Sequence, residues 1–147
     1  MSRETVGRPM EILLVEDSLT DAQLTIMALR EGRVKHRLTL VRDGLEAMSF
    51  LRQEKQFAKA PLPDLILLDL QLPKMDGREV LANIKSDEKL KQIPIVVLTS
   101  SEAHEDILRI EKLFVDSYMV KPVDMVKFLA VVRQLKSFWL ADVILPL

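Results

Sequence analysis

The chain has 147 residues, 48% hydrophobic and 29% charged, a balance that suits one globular domain with a real core and excludes a disordered polymer. Its 21 basic and 22 acidic residues leave a net charge of -1, which gives no footprint for nucleic acid or an anionic membrane. Cysteine is absent, so disulfides, thiolate chemistry and cysteine-bound zinc are excluded. The opening MSRETVGRPM lacks the apolar core of a signal peptide. No apolar run approaches the roughly 20 residues of a membrane span, so the expected setting is the cytoplasm.

The first apolar segment covers residues 12–15. Helical spacing follows, with Leu19, Ala22, Ile26 and Leu29 on one stripe, and Ser18 with Asp21 resembling a capping box. A second apolar segment, 38–41, precedes a helix that Asp43 can cap, with Glu46 three residues on and Leu45, Met48 and Leu51 as its apolar face. Pro61 and Pro63 punctuate the loop before the third segment, 65–70. Asp76-Gly77 opens a third helix with Val80, Leu81 and Ile84 inward. Segment 95–98 leads through Ser100-Ser101 to a fourth helix carrying Ile107, Ile110 and Phe114. Segment 118–120 leads to a fifth helix from about Val123, with Phe128, Val132, Leu135 and Trp139 on one stripe. The methionines are scattered and read as core filler, while His36, His104, Lys74, Arg78 and Lys85 read as solvated.

Three of the five apolar segments do not alternate with polar residues, as expected for strands covered on both faces. Strand and helix alternate five times, which predicts an α/β, three-layer, doubly wound parallel sheet with right-handed crossovers. In such a fold the ligand site lies at the carboxyl ends of the strands. Glu16-Asp17 end the first strand, Asp69 the third, Thr99-Ser100 the fourth and Lys121-Pro122 the fifth. The second strand supplies nothing comparable, as suits an edge.

Clustered carboxylates repel and raise one another's pKa unless a cation joins them. Oxygen ligands with room for water and phosphate suit magnesium. The set reads as a site for magnesium and a phosphoryl group, with Asp69 as nucleophile because a carboxylate can form an acyl phosphate. Magnesium and Lys121 would offset the charge on the transferring group. Singly, Asp69 or Thr99 would be an ordinary strand-end residue and Glu16-Asp17 a helix cap, which Ser18 can supply without them. The agreement of four strand ends favours the site.

The acidic pair in LLVEDS, the LLDLQLPKMDG block, the VVLTS end of the fourth strand and the YMVKP end of the fifth resemble a receiver domain of two-component response regulators, over about residues 10–135. The resemblance implies a flavodoxin-like sheet of strand order 2-1-3-4-5 with five helices. It implies that Asp69 takes a phosphoryl group from a sensor histidine kinase's phosphohistidine. Asp17 matches the direct metal ligand, Glu16 the acid that reaches the metal through water, and the Gln71 carbonyl a third protein ligand beside Asp69. The metal is Mg2+, with Mn2+ or Ca2+ able to stand in its place. Thr99 matches the switch hydroxyl, Lys121 the lysine that pairs with the phosphoryl group, and Lys121-Pro122 a cis peptide. Tyr118 falls on the aromatic switch position, although a half-buried strand aromatic reads equally well. Gln71 and Ser100 lie where side chains tune hydrolysis.

The core is expected over about 10–136, and the apolar extension 137–147, SFWLADVILPL, is too short for a DNA-binding output domain. It must be buried somewhere, either on the chain's own surface or, the preferred reading, in a homodimer built from the fifth helix and tail. The SFWL tail and the KQFAKAPLPDLILLDL approach also resemble small stand-alone regulators paired with cyanobacterial phytochromes, which implies a phytochrome kinase as partner. Two other functions compete. An aspartyl phosphatase of the haloacid-dehalogenase type would need a general-acid aspartate where Gln71 stands. A degenerate receiver that binds without phosphorylation would be expected to have lost part of the acid–lysine set.

Overall fold

The structure, a computed structural model, describes residues 8–32, 35–99 and 117–134. Strand β1 (Met10–Val15) is followed by helix α1 (Leu19–Glu31), β2 (His36–Val41), α2 (Gly44–Leu51), a 3-10 turn (Lys55–Phe57), β3 (Leu65–Asp69), α3 (Gly77–Lys85), β4 (Ile95–Thr99), β5 (Ser117–Val120) and α4 (Met125–Gln134). All strand pairs are parallel, in the order β2-β1-β3-β4-β5. The sequence-based sheet therefore stands, and α4 is the fifth of the expected helices. The expected fourth helix, with Ile107, Ile110 and Phe114, lies outside the described residues, as do His104, Leu135, Trp139 and the tail.

The central strands are apolar throughout because their two sides serve two cores. Successive side chains of a strand point to opposite faces. Leu13, Val15, Ile66, Leu68, Ile95 and Val97 pack with Ala47, Met48 and Leu51 of α2 and Val80, Leu81 and Ile84 of α3. Ile12, Leu14, Leu65, Leu67, Val96 and Leu98 pack with Ala22 and Leu29 of α1 and Phe128 and Val132 of α4. Each of these valine, leucine, isoleucine, methionine and phenylalanine side chains contributes on the order of 1.5–3 kcal/mol when fully buried. At the amino end of the sheet, Arg8 holds both Asp64 carboxylate oxygens, at 2.6 and 2.5 Å, while Asp64 accepts the Glu11 N–H at 2.8 Å.

The helix ends follow their caps. Asp43 accepts from the Glu46 N–H, Asp76 from the Arg78 N–H and Ser18 from the Asp21 N–H. The capping box at Ser18 is only half formed, since the Ser18 N–H donates to Glu16 Oε2 at 3.3 Å and the Asp21 carboxylate turns elsewhere. Two expected core residues are exposed, Leu19 by 51% and Leu45 by 52%. Helical side chains lean back over the preceding turn. Leu19 is the first residue of α1 and Leu45 the second of α2, so no preceding helical turn lies beneath them. Thr25, unassigned by the stripe, is buried in α1.

Leu67, fully buried on β3, should be worth about 2–5 kcal/mol of unfolding free energy when changed to alanine, read by urea denaturation, whereas exposed Leu45→Ala should stay within about 0.5 kcal/mol. Equal losses at both positions would contradict the two-core reading.

Candidate functional site

The register carries four polar chain ends to one edge. Val15 pairs with Leu68 and Asp69 with Leu98, which sets Glu16 and Asp17 beside Asp69. Thr99 pairs with Val120, and the Lys121 N–H donates to the Thr99 carbonyl at 2.8 Å. The Lys121-Pro122 peptide is cis, as expected. Glu16 is fully buried, Asp69 is 6% exposed and Thr99 4% exposed, while Asp17 faces solvent. Glu16, Asp17 and Asp69 each offer one oxygen within 4.8 Å of the others.

Lys121 ties the cluster together. Its Nζ lies 3.0 Å from Glu16 Oε1, 3.1 Å from Asp69 Oδ2 and 2.9 Å from Asp21 Oδ2. Asp69 Oδ1 accepts the Gln71 N–H at 2.9 Å, so both its oxygens are held. The Asp69 backbone is equally constrained. A side chain begun at Gly77 would put its Cβ 2.6 Å from the Asp69 carbonyl oxygen and 2.6 Å from Leu70 Cα, so the start of α3 can sit against the strand end only with glycine there. The intervening loop passes through Lys74 at φ 66.

The electrostatics have two signs. Burial pushes the Glu16 carboxyl from 4.5 up to about 7, the hydrogen bond and charge of Asp69 push the same way, and Lys121 pulls back. Burial also works against the Lys121 ammonium, yet hydrogen bonds to Asp21, Glu16 and Asp69 together outweigh it and hold the amine above the ordinary lysine range. Both pKa values are raised, which favours the neutral form of the acid, chiefly through its burial, and the charged form of the lysine. It remains firmly charged, while the most buried acid is left short of positive charge. Hard carboxylate oxygens with an unbalanced negative charge fit a small divalent cation.

The sequence-predicted Glu16, Asp17, Asp69, Thr99, Lys121 and Gln71 thus come to one edge. Tyr118 does not join the cluster. It pairs with Val97 further back along β5 and is 38% exposed. Two contributors were missed. Asp21 fits a cap partner by sequence, yet as a carboxylate in the first turn after β1 it lies near the same edge and meets Lys121. Arg42, just past β2, donates from its guanidinium to the Asp17 carbonyl at 2.6 Å. The second strand takes the expected edge position, and Arg42, the residue after it, reaches the Asp17 backbone rather than the carboxylate–lysine cluster.

With burial raising Glu16 to about 7, a cation bound beside it favours the carboxylate and so draws protons from the site near and below that pH. Magnesium affinity should therefore rise between about pH 6 and 8, and calorimetry near pH 6 in buffers of differing ionisation enthalpy should register proton release. An affinity flat across that range would contradict the Glu16 reading.

A family model described as the response regulator receiver domain matches residues 12–133. The response regulator Rcp1 of Synechocystis sp. is 46% identical over 138 residues, covering 94% of this chain and 94% of its own. A crystal structure of the phosphorylated cyanobacterial phytochrome response regulator RcpA superposes with a TM-score of 0.72 at 47% identity, covering 95% of this chain and 99% of that one. The Mn(2+)-bound form of Rcp1 gives a TM-score of 0.72 at 46% identity, covering 95% of this chain and 100% of the other. A match that spans the sheet from its first strand to its last helix, with relatives this near over almost their whole length, places this protein in the response regulator receiver domain family.

Proposed function

We propose that the chain is a single receiver domain, with its core over about 10–136, that accepts a phosphoryl group on Asp69 from a sensor histidine kinase and signals by changing shape. One observation carries the assignment: a nearly buried carboxylate ends the central strand β3 with a lysine ammonium 3.1 Å away and Glu16 and Asp17 alongside. A side chain that only decorated a surface would not be given an ammonium held by three acids. Gln71 stands where an aspartyl phosphatase would need its second carboxylate, which supports phosphoacceptance over turnover of phosphoesters. Kinship with the phytochrome response regulator RcpA supports a phytochrome as the kinase, and we place its action in the cytoplasm. No helix among the described residues is long and apolar enough to cross a membrane.

In the mechanism, an Asp69 carboxylate oxygen forms a bond to phosphorus as the phosphohistidine P–N bond breaks and the imidazole leaves. The Gln71 N–H holds the other Asp69 oxygen, so the carboxylate presents one fixed edge. Lys121 offsets the added negative charge on the phosphoryl oxygens. Magnesium, when bound by Asp17, Asp69 and the Gln71 carbonyl, with Glu16 through water, supplies further positive charge to the transferring group. Thr99, one residue beyond the partner of Asp69 on β4, turns its hydroxyl toward the phosphoryl group, and Tyr118 on the adjoining strand responds. The same residues assist the chain's own phosphorylation and its hydrolysis.

A homodimer through α4 and the C-terminal extension is the second part of the reading. It is supported by Val126, 79% exposed on α4, and Val120, 39% exposed on β5, each of which leaves an apolar side chain uncovered.

Acetyl phosphate with magnesium should add one phosphoryl mass to the intact protein, and Asp69→Asn should take none. An unmodified wild-type chain would favour a degenerate receiver, and rapid hydrolysis of many phosphoesters a phosphatase. Truncation after Lys136 should lower the mass seen by light scattering from dimer to monomer. An unchanged mass would remove the tail from the interface.

A further inference from the structure

We infer that Asp21 is a positioning residue for phosphoryl transfer: together with Glu16 it holds two of the three Lys121 N–H groups, so that the third is aimed at Asp69. The inference rests on Asp69 being the phosphoacceptor.

An ammonium has three donors and no acceptor. Lys121 meets three acceptors, Asp21 Oδ2 at 2.9 Å, Glu16 Oε1 at 3.0 Å and Asp69 Oδ2 at 3.1 Å. Lysine carries its charge on a flexible four-carbon stem, so its direction must be imposed by partners. Glu16 alone fixes one point, which leaves the head free to swing about it. Asp21 supplies the second fixed point, from the first turn of α1 rather than from a strand end. Its own backbone is pinned, because its N–H donates to Ser18 Oγ at 3.2 Å. The Lys121 side chain is 17% exposed and Asp21 is 38% exposed, so the tether closes the cluster on its solvent side. When the Asp69 oxygen bonds to phosphorus and the donor's bond to phosphorus breaks, the Glu16 and Asp21 contacts persist. The Asp69-directed N–H then faces a phosphoryl oxygen instead of the carboxylate.

A purely local role is the competing account, since a carboxylate in the first turn of a helix favours the helix by its dipole. A double-mutant cycle separates the two. The full-length chain is incubated with acetyl phosphate and magnesium, and the rate of adduct formation is read by intact mass. Asp21→Ala should slow it about five- to tenfold, as for loss of a charge-assisted contact that is partly solvated. Asp21→Asn, which keeps an acceptor, should lose only about two- to threefold, and it carries the test if the alanine variant does not fold. In a Lys121→Ala background, Asp21→Ala should change the residual rate by less than about twofold. In the magnesium-free chain, the Lys121 ammonium should give a slowly exchanging proton–nitrogen NMR signal in the wild type that is lost in Asp21→Ala.

Equal slowing in both backgrounds would overturn the inference in favour of the helix role. So would a wild-type rate in Asp21→Ala with the ammonium signal retained. A wild-type chain that takes no adduct at all would instead overturn Asp69 as phosphoacceptor.

Discussion

One ammonium shared by three carboxylates holds the site together. Glu16, Asp21 and Asp69 would repel one another at the end of a largely buried sheet. A single Lys121 Nζ within 3.1 Å of all three turns that repulsion into a joint between β1, α1, β3 and the segment after β5. The partners come from sequence separations of 105, 100 and 52 residues, so the cluster exists only once the whole sheet has closed. Fold and site are therefore one event. The pKa of Glu16, raised first by burial and then by Asp69, marks a carboxylate short of positive charge, which suits both a divalent cation and a phosphoryl group that needs cations around it.

The cost of that cluster is met by the strands beneath it. Leu65 to Leu68 are fully buried, alternately into the two cores, and this fixes β3 to both helical layers before Asp69 emerges. On the proposed reading, a nucleophile at the end of such a strand needs little further ordering when a donor arrives. Receiver-family membership is thus the expected outcome of this arrangement as much as of sequence likeness.

The sheet was legible because its signal is collective. Non-alternating apolar runs at 12–15 and 65–70, separated by capped helices, admit few topologies, and the charged residues at their ends mark the crevice. Individual side chains were less legible. Leu19 and Leu45 fit an apolar stripe but stand in the first turns of their helices, where periodicity says nothing about what lies below. Asp21 satisfied a capping pattern, and that local explanation concealed a partner 100 residues away. Arg42 was passed over because strand-end logic considers the residue that ends a strand, not how far the next one reaches. Local rules describe the backbone's needs well. Long polar side chains answer to the tertiary structure.

Gly77 has a consequence for how a signal leaves the site. With its missing Cβ the start of α3 lies directly on the carbonyl of Asp69, and the Gly77 N–H is bonded to Leu70 at 3.1 Å. Asp69 and α3 are therefore joined as a single stiff bracket with no play between them. A new charge on Asp69 cannot be absorbed by sliding on that side. On the proposed reading, the side left to move is the opposite one, toward Thr99, Lys121 and the β4–β5 edge, with the glycine as the anvil.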